Sequence, residues 1–152
     1  MRFFIAIFLL FSFIDARVHT VAQVKKEYYK LQKMMKNGIL NVEKSSKDYQ
    51  GIGGSAEIYI DPTTGIVRAL ILDGGTGDSF HRVEYSYDES GELFFSYNRD
   101  ANVGGCESEF RSYYSGKKLL KRLKKLNKCE PYRAFPFRED NPKKAFEEYQ
   151  PG

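Results

Sequence analysis

Tyr59-Ile60-Asp61 leading to Gly65-Ile66-Val67, Tyr85-Ser86-Tyr87-Asp88 leading to Gly91-Glu92-Leu93-Phe94, and Tyr113-Tyr114-Ser115 leading to Gly116-Lys117-Lys118-Leu119-Leu120 decide the fold. The three runs say the same thing: an aromatic strand, a polar turn, an apolar strand returning. Their turn glycines stand 26 and 25 residues apart. Aromatic and β-branched residues fit a half-buried pleated surface, and Asp, Ser, Pro and Gly between them punctuate turns, so each copy predicts a β-hairpin. The copies place a hairpin sheet over 56–126.

Within this region Ala56–Ile60 pairs with Ile66–Leu72 across Asp61-Pro62-Thr63-Thr64-Gly65, where proline pre-sets the turn. The return strand is apolar on both faces, with Val67, Ala69 and Ile71 alternating against Ile66, Leu70 and Leu72, which predicts a central strand or one under a helix. Asp73–Asp78 reads as a glycine-rich loop and Asn98–Gly105 as a polar loop. Alternation puts His81, Val83, Tyr85 and Tyr87 on one face, with Phe80, Arg82, Glu84 and Ser86 on the other. In the next strand Leu93, Phe95 and Tyr97 are expected to share a buried face, with Phe94 and Ser96 opposite. Lys117–Lys128 has two readings. Alone, its leucines and its cations Lys117, Lys118, Lys121, Arg122, Lys124, Lys125 and Lys128 spell a basic amphipathic helix. As part of the repeat it is the return strand of the third hairpin, and the repeat takes precedence.

Upstream of the hairpins, Thr20 and Gln23 have the form of a capping box. Val21, Val24, Tyr28, Leu31 and Met35 then recur at three- and four-residue steps, predicting an amphipathic helix over 21–36 that Asn37-Gly38 ends. In 39–56, Ile39, Leu40 and Val42 suggest a short strand and Gly51–Ser55 a loop, without the lysine and helix of a phosphate loop. Downstream, Pro131, Pro136 and Pro142 punctuate Tyr132, Phe135 and Phe137. This predicts an extended strap and a short helix, together spanning 130–150, the helix starting at Asn141-Pro142. The expectation is an α+β domain: an amphipathic helix on an antiparallel meander of about six strands, with a short C-terminal helix.

Met1–Ala16 reads as a signal peptide. Arg2 precedes an apolar run from Phe3, cleavage falls near Ala16, and the run is too short for a spanning helix of ~20 residues. Residues 17–152 are then one secreted or periplasmic domain without a membrane span. The net charge is +4, and tyrosine (11) and phenylalanine (12) are abundant while tryptophan is absent. The cation excess favours solubility and anionic partners. Cys106 and Cys129 bracket the third hairpin, and in an oxidising compartment they are expected to form a disulfide.

No constellation compels chemistry. His81 with Asp78, and Ser79 or Ser86 nearby, sketches a base and nucleophile but lacks a strained elbow or backbone donors. Asp73–Asp78 lacks the ligand ladder of a calcium loop. Tyr–Arg interleaving resembles a nucleic-acid stacking platform, but Glu84, Glu92, Glu107 and Glu109 share those strands. No cofactor, metal or nucleic-acid partner is expected.

The runs Glu84–Phe95 and Arg111–Leu120 resemble a pattern in small exported bacterial proteins of unknown function, which carry a signal peptide, a leading helix and tyrosine-rich YYF-x-x-G-K-L hairpins. The resemblance covers about 56–126. It implies a meander fold and an envelope or secreted location, and it carries no functional residues. The cysteine pair and the Pro-aromatic strap depart from the pattern. The expected function is a non-enzymatic exported module that binds a protein or an anionic envelope component. Its expected surface is the helix-free sheet face with Arg82, Tyr85, Tyr87, Tyr97, Arg111, Tyr113, Lys121 and Lys124. Alternatives are an inhibitor acting through the 73–78 or 98–105 loop, and a hydrolase at His81.

Overall fold

The computed structural model describes residues 20–49, 52–127 and 138–149. The signal segment, Cys129 and the strap aromatics Tyr132, Phe135 and Phe137 lie outside them. Helix α1 (Val21–Lys36) precedes strands β1 (Asn41–Tyr49), β2 (Ile52–Ile60), β3 (Val67–Thr76), β4 (Ser79–Tyr87), β5 (Leu93–Asn102), β6 (Glu107–Ser115) and β7 (Lys118–Asn127), and helix α2 (Pro142–Glu148) comes last. The strands form one antiparallel sheet in chain order, so every neighbour in space is a neighbour in sequence.

The caps work as their residue types dictate. Thr20 Oγ1 accepts from Gln23 N (3.3 Å) while Gln23 Oε1 accepts from Thr20 N (2.7 Å), satisfying two donors that the first helical turn leaves over. At the other end of α1, Gly38 takes φ 66°. Asn141 Oδ1 accepts from Lys144 N (3.3 Å), with Pro142 in the first turn of α2. Asp61, Asp88 and Asn102 each fold the turn they open by accepting backbone N–H groups. For Asp88 Oδ1 the donors are Ser90 N (2.8 Å) and Glu92 N (3.0 Å).

The sheet has seven strands, not about six. The seventh is β1, longer than the short strand that Ile39, Leu40 and Val42 suggest and paired with β2 over Asn41↔Ile60 to Tyr49↔Ile52, so Ile52–Ser55 of the stretch read as a loop is strand. Cross-strand pairing overrides composition here: Gly53 and Gly54 face Gly75 and Gly74. Gly75 has a further reason to lack a side chain, since a Cβ there would meet the Ser79 carbonyl oxygen at 2.0 Å. For the same reason of pairing, Asp73–Thr76 and Asn98–Asn102 extend β3 and β5, and the connections shrink to tight turns. Lys118–Asn127 is strand, as the repeat requires, because its backbone pairs with β6 along its length.

The repeat includes an irregularity that composition does not show. In each hairpin the return strand carries one extra residue, at Arg68, Phe94 and Leu120, spaced 26 residues apart. A bulge bends the strand and re-aims the side chains beyond it. It therefore separates Leu93 from Phe95 and Tyr97: Leu93 packs beneath α2, whereas Phe94 and Phe95 both pack beneath α1.

Both faces of the sheet carry a helix. Beneath α1 lie Ala69, Phe94, Phe95 and Tyr113, meeting Val24, Leu31 and Leu40. Tyr28 stacks on Phe95 at 4.5 Å between ring centroids. On the opposite face Ala56, Ile58, Leu70, Leu72, Val83, Tyr85 and Tyr87 form a core against which Ala145, Phe146 and Tyr149 pack. The C-terminal segment is tied down by polar contacts: Tyr87 Oη donates to Glu139 O (2.9 Å), Arg138 Nη1 to Gly116 O (3.0 Å), and Tyr149 Oη to Asp73 O.

Candidate interaction surface

Register decides which side chains meet. Glu84, Tyr97, Arg111 and Leu123 stand opposite one another in one row across β4–β7, on the α1 face. The adjacent row, Ser86–Phe95–Tyr113–Lys121, runs beneath Tyr28 of the helix. The Glu84–Leu123 row is thus the floor of a groove of about 300 Å³ beside α1, whose wall is Lys25, Tyr28 and Tyr29. Those three share a helix face because they are three and four residues apart.

The groove is amphipathic with a cationic bias. Arg111 is half-exposed, 5.8 Å from the Tyr97 ring centroid, with Nη2 2.6 Å from Glu109 Oε1. Tyr29 is 70% exposed, an aromatic ring held outward without burial to justify it. Glu84 is the acid of the groove, and it is engaged: Arg82 Nε donates to it at 2.8 Å and Tyr28 Oη at 3.3 Å. Burial, then the Glu84 charge, raises the Tyr28 hydroxyl above its ordinary pKa, so it stays a donor. Burial likewise raises Tyr97. Lys25 forms no ion pair among the described residues. A ligand entering here meets aromatic walls, two cations and a carboxylate already neutralised.

The expected surface does not survive as drawn, because the strands project their residues to two faces. Arg82, Tyr97, Arg111, Tyr113 and Lys121 lie on the α1 face; Tyr85, Tyr87 and Lys124 lie on the other. Tyr85 and Tyr87 are buried in the core beneath α2, and Tyr113 is buried beneath α1. Arg82 is held by Asp73 (2.8 Å) as well as Glu84. Neither face is free of helix, so the surface moves to the border of α1. Lys25, Tyr28, Tyr29, Glu84 and Leu123 were not singled out from sequence; the signal was the second helical stripe 25/28/29, masked by assigning Tyr28 to the core.

His81 does not pair with Asp78. It is 3% exposed, with Nδ1 hydrogen-bonded to Asp100 Oδ1 at 2.7 Å, and Ser108 Oγ donates to Asp100 Oδ2 at 3.0 Å. Asp78 sits in the β3–β4 turn, where its N–H donates to Thr76 Oγ1. Ser79 Oγ bonds Thr76, and Ser86 lies on the face opposite His81. The carboxylate therefore stands between histidine and serine, an order that anchors both and activates neither as base and nucleophile.

Among the described residues no helix is long and apolar enough to cross a membrane. No protein-family model, curated protein or solved structure matches this chain.

Proposed function

We propose that the protein is an exported, non-enzymatic binding module whose working surface is the groove between α1 and the row Tyr97–Arg111–Leu123. The observation that carries this reading is the aromatic wall of part-buried Tyr28 and exposed Tyr29 facing Tyr97 and a half-exposed Arg111. Tyr and Arg supply large contact area with little ordering cost, which is why they concentrate at binding hot spots. The apolar Met1–Ala16 segment supports export, and export supports a Cys106–Cys129 bridge. Pairing of Glu107 with Asn127 brings the two ends of the third hairpin together, with Cys106 one residue before and Cys129 two residues after. Such a bridge would stabilise the fold by roughly 2–4 kcal/mol.

The test immobilises residues 17–152 and a Tyr97→Ala/Arg111→Ala variant side by side, and compares what each retains from the source's envelope and medium. A partner held by the parent chain and lost by a variant of unchanged far-UV circular dichroism supports the groove. Equal retention by both removes it. Intact mass before and after reduction and alkylation decides the bridge: a single alkylation state without reductant is expected, and free-thiol labelling would refute it.

A further inference from the structure

We propose that β7 is a docking edge, joined as an eighth strand by an extended acidic polypeptide segment. The proposal rests on the binding-module reading above and deepens it to a class of partner.

Among the described residues no strand lies beyond β7, and nearly all its side chains are exposed. It carries Lys118, Lys121, Arg122, Lys124 and Lys125 and no acid. Lys118, Lys121, Lys124 and Lys125 form no ion pair among the described residues. Lysines on an edge normally serve to keep other strands away. That explains the charge but not Leu119, Leu123 and Leu126, which stay 42%, 39% and 38% exposed on the same strand. The other edge, β1, is managed differently: Lys44 is paired with Glu57 (2.6 Å), Lys47 Nζ donates to Glu147 O (3.3 Å), and its large apolar residue outside the terminus is Val42.

The arrangement of the cations selects the partner. They come as doublets, Lys121-Arg122 and Lys124-Lys125, separated by Leu123. In a strand, successive residues point to opposite faces, and the register confirms it: Lys121 and Lys125 stand beside Tyr113 and Glu109 on the α1 face, Arg122 and Lys124 beside Ser112 and Phe110 on the other. A planar anionic surface would touch one member of each doublet. A strand added to the edge alternates in step and meets both. Its complement is acid doublets separated by single apolar residues, the main chain supplying hydrogen bonds and the side chains specificity. A second copy of this chain through β7 is disfavoured, since it would bring cation against cation. On the α1 face the added strand would also border the groove at Leu123.

The experiment uses residues 17–152 and three probes: a fluorescent peptide of glutamate doublets separated by single valines, the same peptide with prolines for the inner valines, and vesicles rich in anionic phospholipid. Expected are saturable binding of the first peptide, at least tenfold weaker binding of the proline peptide at equal charge, and new amide-exchange protection confined to β7. A Lys121→Glu/Lys124→Glu variant should lose at least tenfold in affinity. Equal binding of both peptides, or capture by vesicles alone, overturns strand addition. Partner capture that survives the β7 charge reversal but is lost in Tyr97→Ala/Arg111→Ala would retain the module and discard the eighth strand. The proline-peptide comparison needs no variant, so the outcome does not depend on the charge reversal folding.

Discussion

On the α2 face the rows Ala56–Leu72–Val83 and Ile58–Leu70–Tyr85 are closed and apolar, and His81, Asp100 and Ser108 on the same face are buried and bonded to one another. Beneath α1 the same strands carry a second apolar core, but beside it they carry a lattice of opposite charges: Lys44–Glu57 at 2.6 Å, Arg82–Asp73 at 2.8 Å, Arg111–Glu109 at 2.6 Å. The difference is one of exposure of the polar groups. A buried polar group must be satisfied internally, so it holds its neighbours in one geometry; an exposed pair exchanges with water at little cost and leaves the surface available. Both faces carry core, and the α1 face in addition leaves charged and aromatic side chains exposed at the border of the helix.

The sharpest break of that comparison is Asp100→Ala. It strips His81 and Ser108 of a shared buried partner, and the expected loss is about 3 kcal/mol or more, read from the urea midpoint. A loss below about 1 kcal/mol would mean the polar cluster is not structural. Next comes Tyr28→Ala on the α1 face, which removes the ring stacked on Phe95. Tyr28 is only partly buried, so the expected cost is about 2 kcal/mol, against less than about 1 kcal/mol for Tyr28→Phe.

Alkaline pH probes both faces at once. Burial, then a hydrogen bond to Glu57, leaves Tyr59 pushed up to about 12 from an ordinary 10.0. Burial raises Tyr28 on the α1 face and Tyr85 and Tyr87 on the other. Above the ordinary tyrosine pKa the unfolded chain loses these protons while the folded chain keeps them. Their contribution is therefore complete below about pH 10 and is lost as pH rises through the folded values. Denaturant midpoints should fall as pH rises from about 10 to about 12, with a shallower fall in Tyr87→Phe; a flat profile would contradict the burial of these hydroxyls. The smallest expected effect on stability is Arg111→Ala, below about 0.5 kcal/mol because its ion pair is solvent-exposed. Any measured partner affinity should nevertheless drop, and a large loss of stability would reassign Arg111 to the fold.

The local half of this structure is legible in the chain. Thr20-x-x-Gln23 starts a helix, Asn141-Pro142 starts another, and Asp-to-Gly turns at Asp61 and Asp88 define hairpins, because each depends on contacts within a few residues. The repeat also settled Lys118–Asn127 as strand against its helical leucine spacing. What composition hid was pairing over distance. Gly53 and Gly54 look like a loop until Gly74 and Gly75 are placed opposite them. Asp78 looks like the partner of His81 until the β4–β5 register brings Asp100 across.

The sequence by itself determined the two helices, the hairpin turns at Asp61, Asp88 and Gly116 and the meander, since neighbouring strands joined by tight turns have few other ways to pair. Only the tertiary structure decided strand lengths, the bulges at Arg68, Phe94 and Leu120, and which face each tyrosine takes. The physical reason is the two-residue period of a strand: one extra residue sends every later side chain to the opposite face. Tyr97, beyond the Phe94 bulge, was thereby placed on the α1 face with Arg111, away from Leu93 and from the core that holds Tyr85 and Tyr87.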